Sequence, residues 1–245
     1  MKELTSEPKA WEQTPRMPRR RALTWGIAAS SVSTAMIPMA ETLLGEPLGM
    51  GPTIPRTPEE ALSQLYEGNR RFVEGRPLAV HRDMGRVKEV APRQTPFAAF
   101  LGCADSRVPI EIVFDQGFGD LFVTRIAGNV ASSENIGSLE FGTLLLGAKV
   151  LYVLGHTSCG AVTATVKGEE VPGQISGLFQ HMRPAAKIAR GDVEKAIYEN
   201  VRIQAQVLAE SSPVIARMVR EQRLLVAGGV YDLDSGRVAP VDVGV

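Results

Sequence analysis

No charge of either sign is in surplus in this 245-residue chain: Lys and Arg together number 27, as do Asp and Glu. No whole-chain field therefore draws it to nucleic acid or to an anionic surface, and a small-molecule partner is expected. Neither a Gly-x-x-x-x-Gly-Lys-[Ser/Thr] loop nor a Gly-x-Gly-x-x-Gly turn occurs, so nucleotide chemistry has no support. Internal repeats and low-complexity segments are missing from the body of the chain. Cysteine occurs 2 times and histidine 3 times, so any site built from them can be enumerated residue by residue. What is present, 44% hydrophobic and 22% charged residues, is not the composition of a disordered chain. The length suits one substantial domain, or a domain with an appendage.

The opening residues differ from the rest. PRMPRRRALTWGIAASSVSTAMIPMA begins with Arg16, Arg19, Arg20 and Arg21 and continues uncharged to Ala40. A cationic start, a moderately apolar middle and small residues near the end describe a bacterial export signal, and the arginine pair closely followed by Leu23 resembles the twin-arginine class. Export to the periplasm by the twin-arginine machinery is the expectation; a disordered basic tail is the alternative. The run is too short and too polar to span a membrane comfortably. Pro38 sits poorly for cleavage, so removal after Ala40 and retention as an anchor are both compatible with it. Residues 41–56, with Gly45, Pro47, Gly49, Gly51, Pro52 and Pro55, read as a linker. The folded domain is expected over 57–245.

That domain opens with a helix signature. Thr57 is the N-cap, Pro58 takes the first helical position, Glu60 is the capping-box partner, and Ala61, Leu62, Leu65, Tyr66 and Phe72 recur at roughly helical spacing. Short apolar runs then predict strands over Phe97 to Leu101, Asp120 to Ile126, Lys149 to Leu154 and Leu224 to Tyr231. Helices are predicted between them over Pro109 to Phe114, Glu134 to Gly147 and Ala161 to Val166, and through Ser176 to Gln222 with breaks at Pro184, Gly191 and Pro213. This alternation implies an α/β fold, a mostly parallel sheet flanked by helices on both faces. Such sheets bind ligands beyond the carboxyl ends of their strands.

Both cysteines lie at strand ends. LGCADSR delivers Cys103, Asp105 and Arg107, and GHTSCG delivers His156 and, three residues on, Cys159. The H-x-x-C spacing lets both side chains face one way on a turn opening a helix, and Cys103 supplies a third soft ligand. Two thiolates and one imidazole suit zinc with one position left open. Three other readings compete: a disulfide in an exported protein, inert buried thiols, and a Cys-His nucleophile pair. None of the first two needs His156, Asp105 or Arg107, and GHTSCG is not a nucleophile elbow.

C-x-D-S-R followed at a distance by H-x-x-C-G resembles the β-class carbonic anhydrases, and the GNRRF helix and the DLFVTRIAGN segment are also similar to that family. The resemblance spans 57–245. It implies zinc held by Cys103, His156 and Cys159, a homodimer or higher homo-oligomer, and reversible hydration of carbon dioxide to bicarbonate. Zinc lowers the pKa of bound water from 15.7 to about 7 in the best-known zinc hydratase, but two thiolates cancel more of the metal charge than imidazoles do. Asp105 is therefore expected to orient the zinc-bound hydroxide, and Arg107 to keep Asp105 ionised and correctly turned. In some members of the family the aspartate instead closes the zinc site; an open site is expected here. A noncatalytic bicarbonate pocket known in the family uses a tryptophan three residues before the first cysteine, where this chain has Phe100, although its arginine is matched by Arg125.

By the same resemblance Gln116 is a candidate donor to a substrate oxygen, Phe141 a candidate wall contributed across the dimer, and Gly160 a residue that keeps backbone near the metal. Each has a structural alternative: a helix cap, ordinary core and a permissive turn. His81 is read as a surface histidine with proton transfer as the alternative role, and His181 as a helix residue. Hydrolysis of carbon disulfide or carbonyl sulfide, and a noncatalytic zinc-stabilised binding module, are the competing functions.

Overall fold

The computed structural model describes residues 54–245; the expected export signal and most of the linker lie outside the described residues. The continuous apolar runs become a single sheet. β1 (Ala98–Gly102), β2 (Leu121–Arg125), β3 (Val150–His156) and β4 (Leu225–Tyr231) are parallel, and β5 (Val238–Val241) joins β4 antiparallel, giving the order β2-β1-β3-β4-β5. The four predicted strands are present, displaced by no more than two residues at either end. β5 was not foreseen: it is short and carries Pro240, which a strand at the sheet edge tolerates.

Parallel strands need crossovers, and these supply the two covering layers. On one face lie α1 (Pro58–Val73) and α3 (Ile110–Val113); on the other lie α5 (Gly160–Lys167), α6 (Ile175–Ala189) and α7 (Val193–Ser211). The alternation of side chains along β1 sorts them between two cores. Ala99 and Leu101 meet Val162, Met182, Val201 and Leu208, whereas Ala98 and Phe100 meet Leu65, Val113, Phe114 and Tyr152. Cys103 continues the first set, so the period of two that buries the strand also directs its sulfur toward the α5–α7 layer. Full burial of a side chain such as Leu101 or Phe100 stabilises by about 1.5–3 kcal/mol.

α1 forms where its caps demand. Thr57 Oγ1 accepts from Glu60 N at 3.2 Å, but the Glu60 carboxylate reaches one residue further back than a capping box does, to Arg56 N at 2.7 Å. α2 (Met84–Val90), capped by Asp83, was missed because it buries no residue. The helix expected over Glu134 to Gly147 divides into α4 (Ser133–Glu140) and a wider π turn, Phe141–Leu145. There Thr143 Oγ1 donates to the Leu139 carbonyl at 2.8 Å, competing with the backbone ladder. Pro184 does not break α6, contrary to expectation. Both Pro184 and Gln180, whose carbonyl loses its partner, are exposed, so that carbonyl is open to solvent. Gly191 does separate α6 from α7, and Pro213 opens α8 (Pro213–Arg220).

Candidate metal centre

β1 and β3 are neighbours, so the loops leaving their carboxyl ends lie side by side. Cys103 follows the last residue of β1, and His156 is the last residue of β3. Thr157 then ties the chain down: its N–H donates to Tyr231 O at 2.9 Å and its hydroxyl accepts from Leu233 N at 3.0 Å. Ser158 adopts a positive φ of 55°, turning the backbone so that Cys159 becomes the N-cap of α5. The result is a cluster in which Cys103 Sγ, Cys159 Sγ and an imidazole nitrogen of His156 all lie within 4.8 Å of one another, and all three residues are buried. The cysteines are free, which overturns the disulfide reading.

His156 is oriented by its neighbour. Nδ1 lies 2.9 Å from the Thr157 carbonyl, an acceptor only, so Nδ1 carries the proton and Nε2 keeps its lone pair. Nε2 is buried and has no hydrogen-bond partner. An orphaned buried acceptor costs roughly 1–3 kcal/mol, and here it faces two sulfurs. A cation of the soft, tetrahedral kind satisfies all three at once; zinc fits this donor set, and inert core thiols would leave the imidazole nitrogen unexplained.

The sulfurs are electrostatically unequal. The Cys103 thiol is lowered to about 4, first by a hydrogen bond from Cys159 and then, against burial, by the backbone N–H groups of Gly128 and Asp105. Cys159 is pushed up by that same contact with Cys103 and by burial, partly offset by the N–H groups of Val162 and Ala161 at the start of α5. Without metal the pair thus holds one thiolate and shares one proton.

Several residues that shape this cluster were not recognised from sequence. Gly128 N donates to Cys103 Sγ at 3.4 Å, and Asn200 Nδ2 from α7 holds the Gly128 carbonyl at 2.9 Å. Gly128 has φ 77°, and a Cβ there would lie 2.4 Å from Met182 Sδ, so both backbone and packing require glycine. These contacts span 25 and 72 residues of chain, and a single sequence carries no local signal for them.

Asp105 stands beside the cluster without joining it. Its Oδ2 lies 3.8 Å from His156 Nε2, while Arg107 takes both carboxylate oxygens, Nε to Oδ1 at 3.0 Å and Nη2 to Oδ2 at 2.8 Å. The Arg107 backbone N–H adds a bond to Oδ1 at 2.9 Å. These bonds, the side-chain pair first, hold the Asp105 carboxyl well below the usual carboxylate range. Arg107 Nη2 also reaches Ser158 O at 3.4 Å, bridging the two ligand loops.

The remaining expected residues are more scattered. Gln116 is buried in the turn after α3, its Nε2 donating to Phe114 O at 2.8 Å and its Oε1 accepting from Gln64 at 3.5 Å; among the described residues no hydrogen bond joins it to the cluster. Phe141 is half exposed and packs on Phe122 of β2, ring centres 6.3 Å apart. Gly160 opens α5 directly after Cys159, and a Cβ there would meet no atom within 4 Å. His81 is not a free surface residue: its Nδ1 lies 2.8 Å from Asp120 Oδ1, and φ is 57°. His181 lies within α6 as expected. A cleft of about 770 Å³, lined by Thr157, Ser158, Gly160, Glu169, Asp232 and Asp234 among others, flanks the His-x-x-Cys loop, yet none of the three cluster residues lines it, nor does Asp105 or Arg107.

The fold and site have clear counterparts. The sequence profile described as carbonic anhydrase matches residues 98–238. Carbonic anhydrase 2 of Mycobacterium tuberculosis is 37% identical over 188 residues, 74% of this chain and 91% of that protein. A carbonic anhydrase of Pseudomonas aeruginosa is 31% identical over 171 residues, 63% of this chain and 77% of that protein. Among solved structures, the Coccomyxa β-carbonic anhydrase in complex with acetazolamide superposes with a TM-score of 0.57 at 28% identity, covering 73% of this chain and 85% of its own. The Aspergillus fumigatus β-carbonic anhydrase CafA gives 0.60 at 25% identity, covering 76% and 90%. With its profile match running from β1 to the first residue of β5, and with this parallel sheet and its Cys-His-Cys cluster, the chain belongs to the carbonic anhydrase family, in the β class.

Proposed function

We propose that the chain catalyses the reversible hydration of carbon dioxide to bicarbonate and a proton, at a zinc ion held by Cys103, His156 and Cys159, with Asp105 and Arg107 as its orienting pair. The observation that carries this reading is the buried, unpartnered His156 Nε2 facing two sulfurs beside a carboxylate already fixed by a guanidinium. When bound, zinc supplies the Lewis acidity that activates water near neutral pH.

The chain's own groups do the rest. Asp105 accepts a hydrogen bond from the attacking water and so turns a lone pair toward the carbon of carbon dioxide. Arg107 holds both oxygens of Asp105, which keeps the carboxylate ionised and would keep it from turning onto a bound zinc. The water oxygen bonds to carbon, one C–O double bond becomes single, and the proton released passes to external buffer, in a chain with only 3 histidines, one of them in the cluster. Gly160 leaves space beside Cys159, and Phe141, half exposed and packed on Phe122, is the wall for a linear, apolar substrate contributed across the dimer. Gln116 retains one amide hydrogen beyond its bond to Phe114 for a substrate oxygen. A homodimer or higher homo-oligomer is the proposed assembly, supported by β2, an edge strand whose side chains remain partly exposed.

Residues 1–40 are proposed as a twin-arginine export signal delivering the folded domain, 57–245, to the periplasm; cell fractionation that recovered only cytosolic protein with the signal intact would refute this. For the chemistry, Asp105→Ala tests the reading. The variant is expected to retain one zinc per chain and lose hydration, whereas unchanged turnover would overturn the role given to Asp105.

A further inference from the structure

Arg125 ends β2, paired in register with Gly102 at the end of β1. Its guanidinium makes two hydrogen bonds, Nε to Cys103 O at 2.9 Å and Nη2 to Asp105 O at 2.6 Å. One of these carbonyls belongs to a metal-ligand residue and the other to the orienting acid, with only Ala104 between them. Asp105 O also accepts from Val108 N at 3.1 Å, and Gly102 O accepts from Ile126 N at 3.0 Å, so the segment is held by Ile126 at one end and by Arg125 and Val108 at the other. Among the described ion pairs none includes Arg125, so no carboxylate competes for its fork.

In some members of the family an arginine at this position lines a noncatalytic bicarbonate pocket together with a tryptophan. Here Phe100 occupies the tryptophan position and is fully buried against Phe114 and Tyr152, at ring-centre distances of 5.1 and 5.3 Å, with no polar group to offer an anion. Arg125 is turned to the loop carbonyls instead.

We infer that Arg125 is a positioning residue, a planar clamp that fixes Cys103 and Asp105 relative to one another; the inference rests on the metal-site reading given above. Asp105 is then held at both ends, its carbonyl by Arg125 and its carboxylate by Arg107. The rigid guanidinium spans two carbonyls at once, which an ammonium on a flexible stem does not.

The test uses the zinc-loaded full chain and Arg125→Ala, Arg125→Lys and Arg125→Gln. Release of zinc to a chromogenic chelator is expected to be about 10-fold or more faster in Arg125→Ala, and kcat to fall about 10- to 100-fold with KM little changed. Arg125→Lys is expected to remain impaired. Because Arg125 is exposed, millimolar guanidinium should restore activity to Arg125→Ala while methylammonium at the same concentration should not. In an Asp105→Ala background, where turnover is already lost, Arg125→Ala should still speed zinc release, because Arg125 also holds the Cys103 carbonyl. Wild-type zinc release in all three variants, or zinc release unchanged by Arg125→Ala in the Asp105→Ala background, would overturn the clamp. If Arg125→Ala does not fold, Arg125→Gln, which keeps a planar donor, carries the same two readouts. The chelator measurement needs no turnover, so a chain that failed to hydrate carbon dioxide would still test it.

Discussion

Asp105 and Arg107, two residues apart, meet through a parallel pair of hydrogen bonds at 3.0 and 2.8 Å, and the Arg107 backbone N–H adds a third at 2.9 Å. A fork-to-fork contact fixes orientation as well as charge. Arg107→Lys keeps the charge and loses the fork, so kcat is expected to fall about 10- to 100-fold with zinc content unchanged. Stopped-flow assays paired with metal analysis read both quantities; a fall in bound zinc matching the fall in rate would point instead to a role in metal retention.

Zinc loading should release protons in a defined number. The metal-free pair holds one thiolate, Cys103 at about 4, and one thiol, Cys159, whereas zinc ligation needs two thiolates and a neutral imidazole. At pH 7 the expected count is about one proton per zinc bound. Calorimetric titration in two buffers of different ionisation enthalpy measures it, and a count near two would contradict the shared proton.

Gly128 tests the support beneath Cys103. A Cβ added at φ 77°, 2.4 Å from Met182 Sδ, strains the backbone and disturbs the N–H held on the sulfur. Gly128→Ala is expected to lose about 1–3 kcal/mol in urea unfolding. Asn200→Ala, which leaves the Gly128 carbonyl buried without its donor, should lose a similar amount, about 1–3 kcal/mol.

Asp115 gives the acid sensitivity of the fold. Burial alone would raise its pKa, but Arg71 at 2.8 Å and the N–H groups of Leu78 and Ala79 outweigh this and lower it. A folded pKa below the unfolded value of about 3.9 means the stabilisation is present above that pH and is lost as pH falls through the folded value. Asp115→Ala should therefore cost about 3 kcal/mol at pH 7, with the gap to wild type narrowing below about pH 4. Urea unfolding at both pH values checks this; a gap that stayed constant would show that Asp115 does not titrate with folding.

Strand positions were legible because strands buried on both faces leave continuous apolar runs, and the residues of the Cys-His-Cys cluster were legible as candidates because they sit where those runs stop. Cys103 and His156 could be placed at strand ends from Leu101 and Leu154 alone, while the adjacency of those ends appears only in the sheet order. α2 left no such trace, since none of its side chains is buried, and Pro240 disguised β5. Pro184 misled for a different reason: its cost inside a helix depends on whether the abandoned carbonyl can reach water, which is a property of the folded surface. Gln116 and His81 have side chains whose partners, Phe114 and Asp120, are fixed by the turn after α3 and by a contact across 39 residues. The clamp made by Arg125 depends on strand register and so appears only once β1 and β2 are paired.

The most direct measurement is stopped-flow hydration of carbon dioxide by the zinc-loaded domain, one zinc per chain verified, from about pH 7 to about pH 9, the range in which activated water titrates. The account predicts rapid hydration already at the lower end, as expected of an aspartate held away from the metal by Arg107. Activity confined to the upper end would contradict the open site, and no hydration anywhere in the range would contradict the proposed function and direct attention to carbonyl sulfide and carbon disulfide as substrates.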